Sequence, residues 1–300
     1  MLTYWAYGLT IESEINLPEL IQIPHSRPDC VIKTGKTPIK IEGPGTVNRD
    51  KIQFNRTEYL LELPNCIYYA RNGKEIILNI KDSEDTKTLR HFLLTTALAA
   101  ILQQRNKIML HAGAVQTEKG LIVICGNSGA GKSTTLQYLR SHGYRIFSDD
   151  VLVLEEFSDG EIKAFASYPV LKLWDKSFDV LGMDKMSDQN KLREYVNKYR
   201  LNTQPEFCMD AQPIRMIIEL EKDDTLIEPA IKQLNGYEAY VSLYLQLYRT
   251  ALAETVKKDQ ENFIQLSRIL SKTPLYKIKR PGEKNTLENI KMLIEKQKRH

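Results

Sequence analysis

Gly126-Asn127-Ser128-Gly129-Ala130-Gly131-Lys132-Ser133, followed by Thr134, spaces its glycines, lysine and hydroxyl as G-x-x-x-x-G-K-[ST]. At this composition the pattern arises by chance with a probability on the order of one in a hundred. An apolar run, Leu121 to Cys125, precedes the loop, and a helical pattern, Thr134 to Arg140, follows it. Strand, glycine loop and helix are what phosphate binding requires. Successive N–H groups of residues 127 to 133 would point into a concave nest at a helix N-terminus, where partial positive charge collects. Lys132 would then neutralise the β- and γ-phosphates of ATP, and the Ser133 hydroxyl would ligate Mg²⁺.

A histidine and two carboxylates are spaced to meet that loop. If Thr117 pairs with Gly120 across a hairpin turn, partners sum to 117 + 120 = 237, and His111 falls opposite Gly126. A hydrogen-bonded structural histidine and a site histidine both fit that position. After the loop helix, His142-Gly143 signals a helix end, and Tyr144 to Ser148 reads as a strand running into Asp149-Asp150. A right-handed crossover would make this strand parallel to Leu121–Cys125 and bring both carboxyl ends to one sheet edge, where ligands bind. Of two carboxylates there, one can accept a proton from an attacking hydroxyl while the other holds metal. An Asp-Asp turn in solvent is the alternative.

The elements that would position these residues fall into two regions. Residues 1–85 carry short β-type runs, such as Cys30–Lys33, Tyr59–Leu63 and Glu75–Ile80, broken by Pro38, Gly43-Pro44-Gly45 and Asn72-Gly73. They read as a small antiparallel sheet region. Residues 86–300 read as an α/β domain that opens on a helix, Asp85 to Gln104, with Leu89, Phe92, Leu93, Thr96, Ala97, Ala100 and Ile101 on one face. Strands are expected at Met109–Gln116, Val151–Leu154, Lys163–Ala166, Val170–Trp174, Ile214–Leu220 and Leu275–Ile278. Helices are expected at Tyr237–Thr255, Phe263–Leu270 and Thr286–Gln297. The polar stretch Phe178 to Asp210 reads as irregular, either a mobile loop or a docking element.

Composition narrows the classes. The 300 residues are 42% hydrophobic and 27% charged, which excludes fibrous and disordered chains. Lys plus Arg exceed Asp plus Glu by 42 − 38 = 4, and Lys272 to His300 alone holds nine cations against three Glu. That tail is either a solvated helix face or a surface that attracts an acidic partner. No basic stripe interleaved with aromatics and no zinc spacing points to nucleic acid. Cys30, Cys66, Cys125 and Cys208 form no CxxC pair. The longest nearly apolar run, Phe92 to Leu102, is too short for a bilayer, and the first residues carry no secretion signal, so a cytoplasmic setting is expected. A GTPase base-reading motif is missing, because Asn197-Lys198-Tyr199-Arg200 ends in Arg rather than Asp.

At His111, Gly126–Ser133 and Asp149-Asp150 the chain resembles the HPr serine kinase/phosphorylase family. The steps of fifteen residues from His111 to Gly126 and sixteen from Ser133 to Asp149 match that family's core. The resemblance implies a P-loop-containing α/β core of HPr kinase C-terminal, PEP carboxykinase-like type. It also implies Asp149 as the proton acceptor, Asp150 as a metal or phosphate partner beside Ser133, and His111 against the transferred phosphate or the carboxylate. The family's Glu-Ile-Arg-Gly segment is replaced here by Ser167-Tyr168-Pro169-Val170-Leu171-Lys172-Leu173-Trp174. Together with Tyr7–Ile11, Leu17–Leu20 and Pro274–Ile278, that segment resembles a divergent branch whose members phosphorylate the C-terminal serine of lasso-peptide precursors. The implied partner is therefore a peptide or protein bearing an acceptor serine, with no nucleic acid or membrane, and the analogy leaves a homo-oligomer open. Another protein serine, a small hydroxyl metabolite, or a nucleotide-binding regulator without catalysis are the competing readings. Arg215, Arg249 and Arg280 are candidate clamps for a phosphate or carboxylate, and Tyr168, Leu173 and Trp174 could line an apolar groove or pack in the core.

Overall fold

A computed structural model describes residues 1–82, 84–193, 196–248 and 259–298. Arg249, the latter part of the Tyr237–Thr255 helix and the last two residues of the basic tail lie outside the described residues. Among the described residues the chain divides into two compact units, 1–109 with 259–263, and 110–248 with 264–298.

In the first unit the short β-runs assemble into β1 (Leu2–Ala6), β2 (Leu9–Ser13), β3 (Ile21–Gln22), β4 (Cys30–Thr34), β5 (Val47–Arg49), β6 (Ile52–Phe54), β7 (Glu58–Glu62), β8 (Cys66–Arg71) and β9 (Glu75–Ile80). They form one nine-stranded sheet in the order β3-β1-β2-β4-β9-β8-β7-β6-β5. The expectation of a small antiparallel region is corrected here, because β4 pairs in parallel with both β2 and β9. Parallel pairing joins segments distant in sequence, which no local turn signal announces. Asn72 and Gly73 make the expected β8–β9 turn, with φ of 54° and 63°. Alternate residues such as Ile11, Ile32, Ile76 and Leu78 are fully buried.

Helical residues 86–104 belong to this first unit, so the division falls beyond the 85/86 boundary expected from composition. They run as α1 (Thr86–Phe92), a π-helical turn (Leu93–Ala97) and α2 (Leu98–Gln104). Asp85 caps α1 by accepting from Thr88 N. Buried hydroxyls tie the helix down: Tyr68 donates to Leu89 O at 3.1 Å and Tyr7 to Leu94 O at 2.9 Å.

The second unit is built on β11 (Ala112–Thr117), β12 (Gly120–Gly126), α3 (Lys132–Ser141), β13 (Arg145–Ser148), β14 (Leu152–Glu156), β15 (Ile162–Phe165), β19 (Gln212–Lys222) and β21 (Leu275–Arg280), with β10 (Ile108–Leu110) leading in. Its sheet runs β14-β15-β19-β12-β11-β13, and β21 lies beside β19 in parallel. All of β12 is buried, as a continuous apolar run in a central strand requires. Thr117 pairs with Gly120 and Ala112 with Cys125, so the register is the one derived from the turn. β13 is antiparallel to β11, which is antiparallel to β12. Hence β12 and β13 are parallel, as expected, but with β11 inserted between them. Gly143, at φ 89°, ends the crossover helix.

Residues 178–210 are not an irregular loop. A short helix, α4 (Asp175–Leu181), is followed by β17 (Lys191–Arg193) and β18 (Val196–Asn202), and with β16 (Val170–Trp174) these strands form a three-stranded sheet in the order β16-β18-β17. The segment's many Lys, Arg and Asn residues mask a period of two. Tyr199 and Leu201 are buried while the alternate Lys198 and Arg200 point away. Phe178 packs edge-on against Tyr199, with ring centroids 5.5 Å apart. This layer and the main sheet enclose α3, and Ile124, Leu136, Leu139, Leu171, Leu173, Phe178 and Ile290 share one core. The last elements are β20 (Ala230–Leu234), α5 (Gly236–Tyr244), α6 (Asp259–Lys272) and α7 (Leu287–Gln297).

Candidate functional site

The phosphate loop leaves β12 at Gly126, whose φ is 138°. A Cβ there would stand 2.3 Å from Leu220 O of the neighbouring β19, so only glycine fits. The loop closes on itself through Ala130 N–H to Asn127 O at 3.0 Å, and Thr135 N–H donates to Gly131 O to start α3. Arg280, at the end of β21, braces it by donating from Nε and Nη2 to Ala130 O at 3.1 and 2.8 Å. Lys132 is buried and donates from Nζ to Gly126 O at 2.7 Å and Asn127 O at 3.4 Å. Burial pulls its pKa down, against the pull of Asp149 upward.

The carboxylate pair sits where β13 ends. Asp150 takes φ 70°, a left-handed conformation that costs a non-glycine residue of order 1 kcal/mol. Two serines hold this turn: Ser148 Oγ donates to Val151 O at 2.8 Å and accepts from Ser167 N–H at 2.9 Å. Ser167 Oγ in turn donates to Asp149 O at 3.2 Å. Asp149 is buried; its Oδ1 accepts from Ser133 Oγ at 3.0 Å and its Oδ2 from Lys172 N–H at 2.8 Å. Lys172 Nζ donates to Asp150 Oδ2 at 2.7 Å. The two acids are driven apart. Burial, then the neighbouring Asp150 charge, raises the pKa of Asp149. Burial also pushes Asp150 up, but the charges of Lys172 and Lys198 outweigh it and hold Asp150 well below the usual carboxylate range.

His111 lies in the break between β10 and β11. Its Nδ1 is 3.0 Å from Asp150 O and 3.6 Å from Asp150 Oδ1. A carbonyl only accepts, so Nδ1 carries the proton in that contact and the neutral ring keeps Nε2 as its acceptor. Burial, then the Lys132 charge, lowers the His111 pKa and favours this neutral form. Gln246 ties the histidine to the loop: its carbonyl accepts from His111 N–H at 2.7 Å, and its Oε1 accepts from Gly126 N–H at 2.9 Å.

These groups open onto a cavity of about 620 Å³, lined by His111, Ser128, Gly129, Gly131, Lys132, Ser133, Thr134, Asp149 and Asp150. Gly126, Asn127 and Ala130 build the loop behind it without lining it. Six cationic side chains, Lys132, Lys176, Lys198, Lys222, Arg280 and Lys284, face three carboxylates, Asp149, Asp150 and Glu283. That excess, with loop N–H groups at a helix N-terminus, fits a polyphosphate. Ser133 Oγ and the aspartate oxygens are hard donors suited to Mg²⁺, which is commonly held by one or two carboxylates plus substrate phosphates. No group of three or more His, Cys, Asp or Glu gathers as a metal cage among the described residues. Ser133 touches Asp149, not the Asp150 expected as its metal-binding partner.

Of the three candidate arginines, Arg280 reaches the site. Arg215 is instead bonded to Lys298 O, and Arg249 lies outside the described residues. Leu173 and Tyr168 are buried, whereas Trp174 lines the cavity and is 50% exposed. Sequence reading missed Lys172, Gln246 and Lys198. A lysine between two leucines in a strand, Leu171-Lys172-Leu173, was the available signal for the first.

The chain thus carries a glycine-rich loop with Walker-type spacing, and a carboxylate pair on the same cavity. No family model matches the chain. No curated protein matches it either. Among solved structures, the HPr(Ser) kinase/phosphatase from Coxiella burnetii is similar over 63% of this chain and 90% of that one, at 14% identity and a TM-score of 0.35. A superposition that loose leaves the chemistry to the residues themselves. No helix among the described residues is long and apolar enough to cross a membrane.

Proposed function

We propose that the chain is an ATP-dependent phosphotransferase acting on an alcohol, a serine hydroxyl by the resemblance of its motifs. The observation that carries this reading is the Asp149 carboxylate held 3.0 Å from Ser133 Oγ at the foot of the phosphate loop. Loop N–H groups and Lys132 bind the phosphates, and Arg280 keeps the loop in shape. Ser133 and the aspartate pair, Asp150 being the one held ionised, would hold Mg²⁺. Bound Mg-ATP supplies the phosphoryl group and the metal's positive charge. Asp149 Oδ1, which already accepts a hydroxyl proton from Ser133, takes the proton of the acceptor hydroxyl. A buried carboxylate of raised proton affinity beside an ionised one suits that division. His111 holds the Asp150 backbone and faces the cavity. The work of such a site is positioning and electrostatics.

The charge inventory supports an acceptor that carries its own anion. Lys198 Nζ lies 5.4 Å above the Trp174 ring, forms no ion pair among the described residues, and acts on both aspartates. The α-carboxylate of a C-terminal serine in a lasso-peptide-like precursor, or of free serine, matches it. Incubation with Mg-ATP and a Ser-ended peptide, and separately with free serine, followed by mass spectrometry, tests the reading. Phosphoserine is expected, Asp149→Asn should keep nucleotide binding and lose transfer by about 10²–10⁴-fold, and Lys132→Ala should weaken both. Nucleotide binding with no phosphorylated acceptor would make the chain a regulator instead. Full transfer by Asp149→Asn would remove the base from the mechanism.

A further inference from the structure

We propose that Lys172 is the positioning residue of the transfer site, one residue that holds both carboxylates, Asp149 through its backbone N–H and Asp150 through its ammonium. The inference rests on the phosphotransfer reading and extends it to a residue outside the phosphate loop and the Asp-Asp pair.

The placement follows from the strand. Leu171 and Leu173 are fully buried in the core beneath β16, so the alternation of a strand sends Lys172 to the opposite face. Lys172 is only 2% exposed. Its Nζ finds Asp150 Oδ2 at 2.7 Å and lies 5.4 Å from the Tyr168 ring centre. Its N–H finds Asp149 Oδ2 at 2.8 Å. The other oxygen of each carboxylate faces the reactants' side: Oδ1 of Asp149 meets Ser133, and Oδ1 of Asp150 lies 3.6 Å from His111 Nδ1. Lys172 therefore fixes which oxygen of each acid is turned to the cavity. Because β16 is locked on one side by its leucines and on the other by β18, where Lys172 pairs with Arg200, the anchor cannot drift. A purely structural ion pair would engage one acid. This residue engages both, by two different groups.

The test compares wild type with Lys172→Arg and Lys172→Met in Mg-ATP binding and in steady-state turnover, measured with a Ser-ended peptide, with free serine and with water as acceptor. Arginine keeps the charge and the backbone N–H but sets a bulkier head where the ammonium sat. The expected result for Lys172→Arg is a melting temperature near wild type, a nucleotide KM within about threefold, and kcat lowered at least tenfold. Lys172→Met should lower kcat at least a hundredfold; if it does not fold, the arginine variant decides. A folded Lys172→Arg with wild-type kcat overturns the inference and leaves the phosphotransfer reading standing. A wild-type chain that binds Mg-ATP but transfers to none of the peptide, free serine and water overturns both.

Discussion

Replacing Gly113 by alanine adds one methyl group where β11 passes closest to the phosphate-loop helix and the aspartate turn. The new Cβ would stand 2.3 Å from Leu136 Cδ1, 2.9 Å from Ser148 O and 3.4 Å from Asp149 Cα. The φ of Gly113 lies outside the left-handed region, so space alone sets the effect. Leu136 is fully buried and cannot swing into water. It must leave its rotamer, at about 0.5–1.5 kcal/mol, while the Ser148 carbonyl is pushed outward. Overpacking of this kind costs roughly 1–3 kcal/mol, so a loss of about 2 kcal/mol, near thirtyfold in the folding constant, is expected. Urea denaturation should show a lower midpoint at unchanged slope. Because the push falls on Ser148 and Asp149, kcat should fall about tenfold with little change in nucleotide affinity. Gly129→Ala is the control: its φ is 80° with nothing within 4 Å, so it meets backbone strain of about 1–2 kcal/mol without touching Asp149. A Gly113→Ala protein that unfolds at the wild-type midpoint and turns over normally would show that β11 does not support the aspartate turn at this distance.

Gln246→Leu should leave Gly126 N–H without its acceptor inside the fold, costing about 1–3 kcal/mol in denaturation and weakening ATP binding; retained stability with retained affinity would count against the tie. Native labelling with a thiol reagent should modify Cys208 first, because Cys30 and Cys66 are buried and burial pushes their thiols up to about 12 and about 11. Rapid reaction of more than one thiol per folded chain contradicts this. His111, whose pKa is lowered on folding, binds a proton more readily in the unfolded chain. Stability should therefore fall as pH drops through the ordinary histidine value near 6.5 and level off below the folded value. His111→Gln should flatten that part of the profile, and an unchanged pH dependence would refute it.

The parts of the site readable in the sequence are those written contiguously. Gly126 to Ser133 is a loop whose chemistry lies in its own backbone, and the Thr117–Gly120 turn fixed the register that brings His111 beside it. Asp149 and Asp150 could be placed because a crossover has one hand. Lys172, Gln246 and Gly113 were not legible, since each acts through residues distant in the chain: Lys172 on residues 149 and 150, Gln246 on 111 and 126, Gly113 against 136 and 148. The insertion of β11 between β12 and β13 is likewise a matter of long-range pairing. In 178–210 the charge density of Lys191, Arg193, Lys198 and Arg200 outweighed the alternation that makes β18 a strand.

The Lys132 ammonium grips two carbonyls of its own loop. An incoming ligand must give back at least what that grip provides before the lysine can turn toward it. A single phosphate group offers little beyond the exchange, whereas a polyphosphate tail brings several oxygens and a larger charge to the same nest. On the phosphotransfer reading, that grip therefore acts as a threshold that a nucleoside monophosphate clears less readily than a di- or triphosphate.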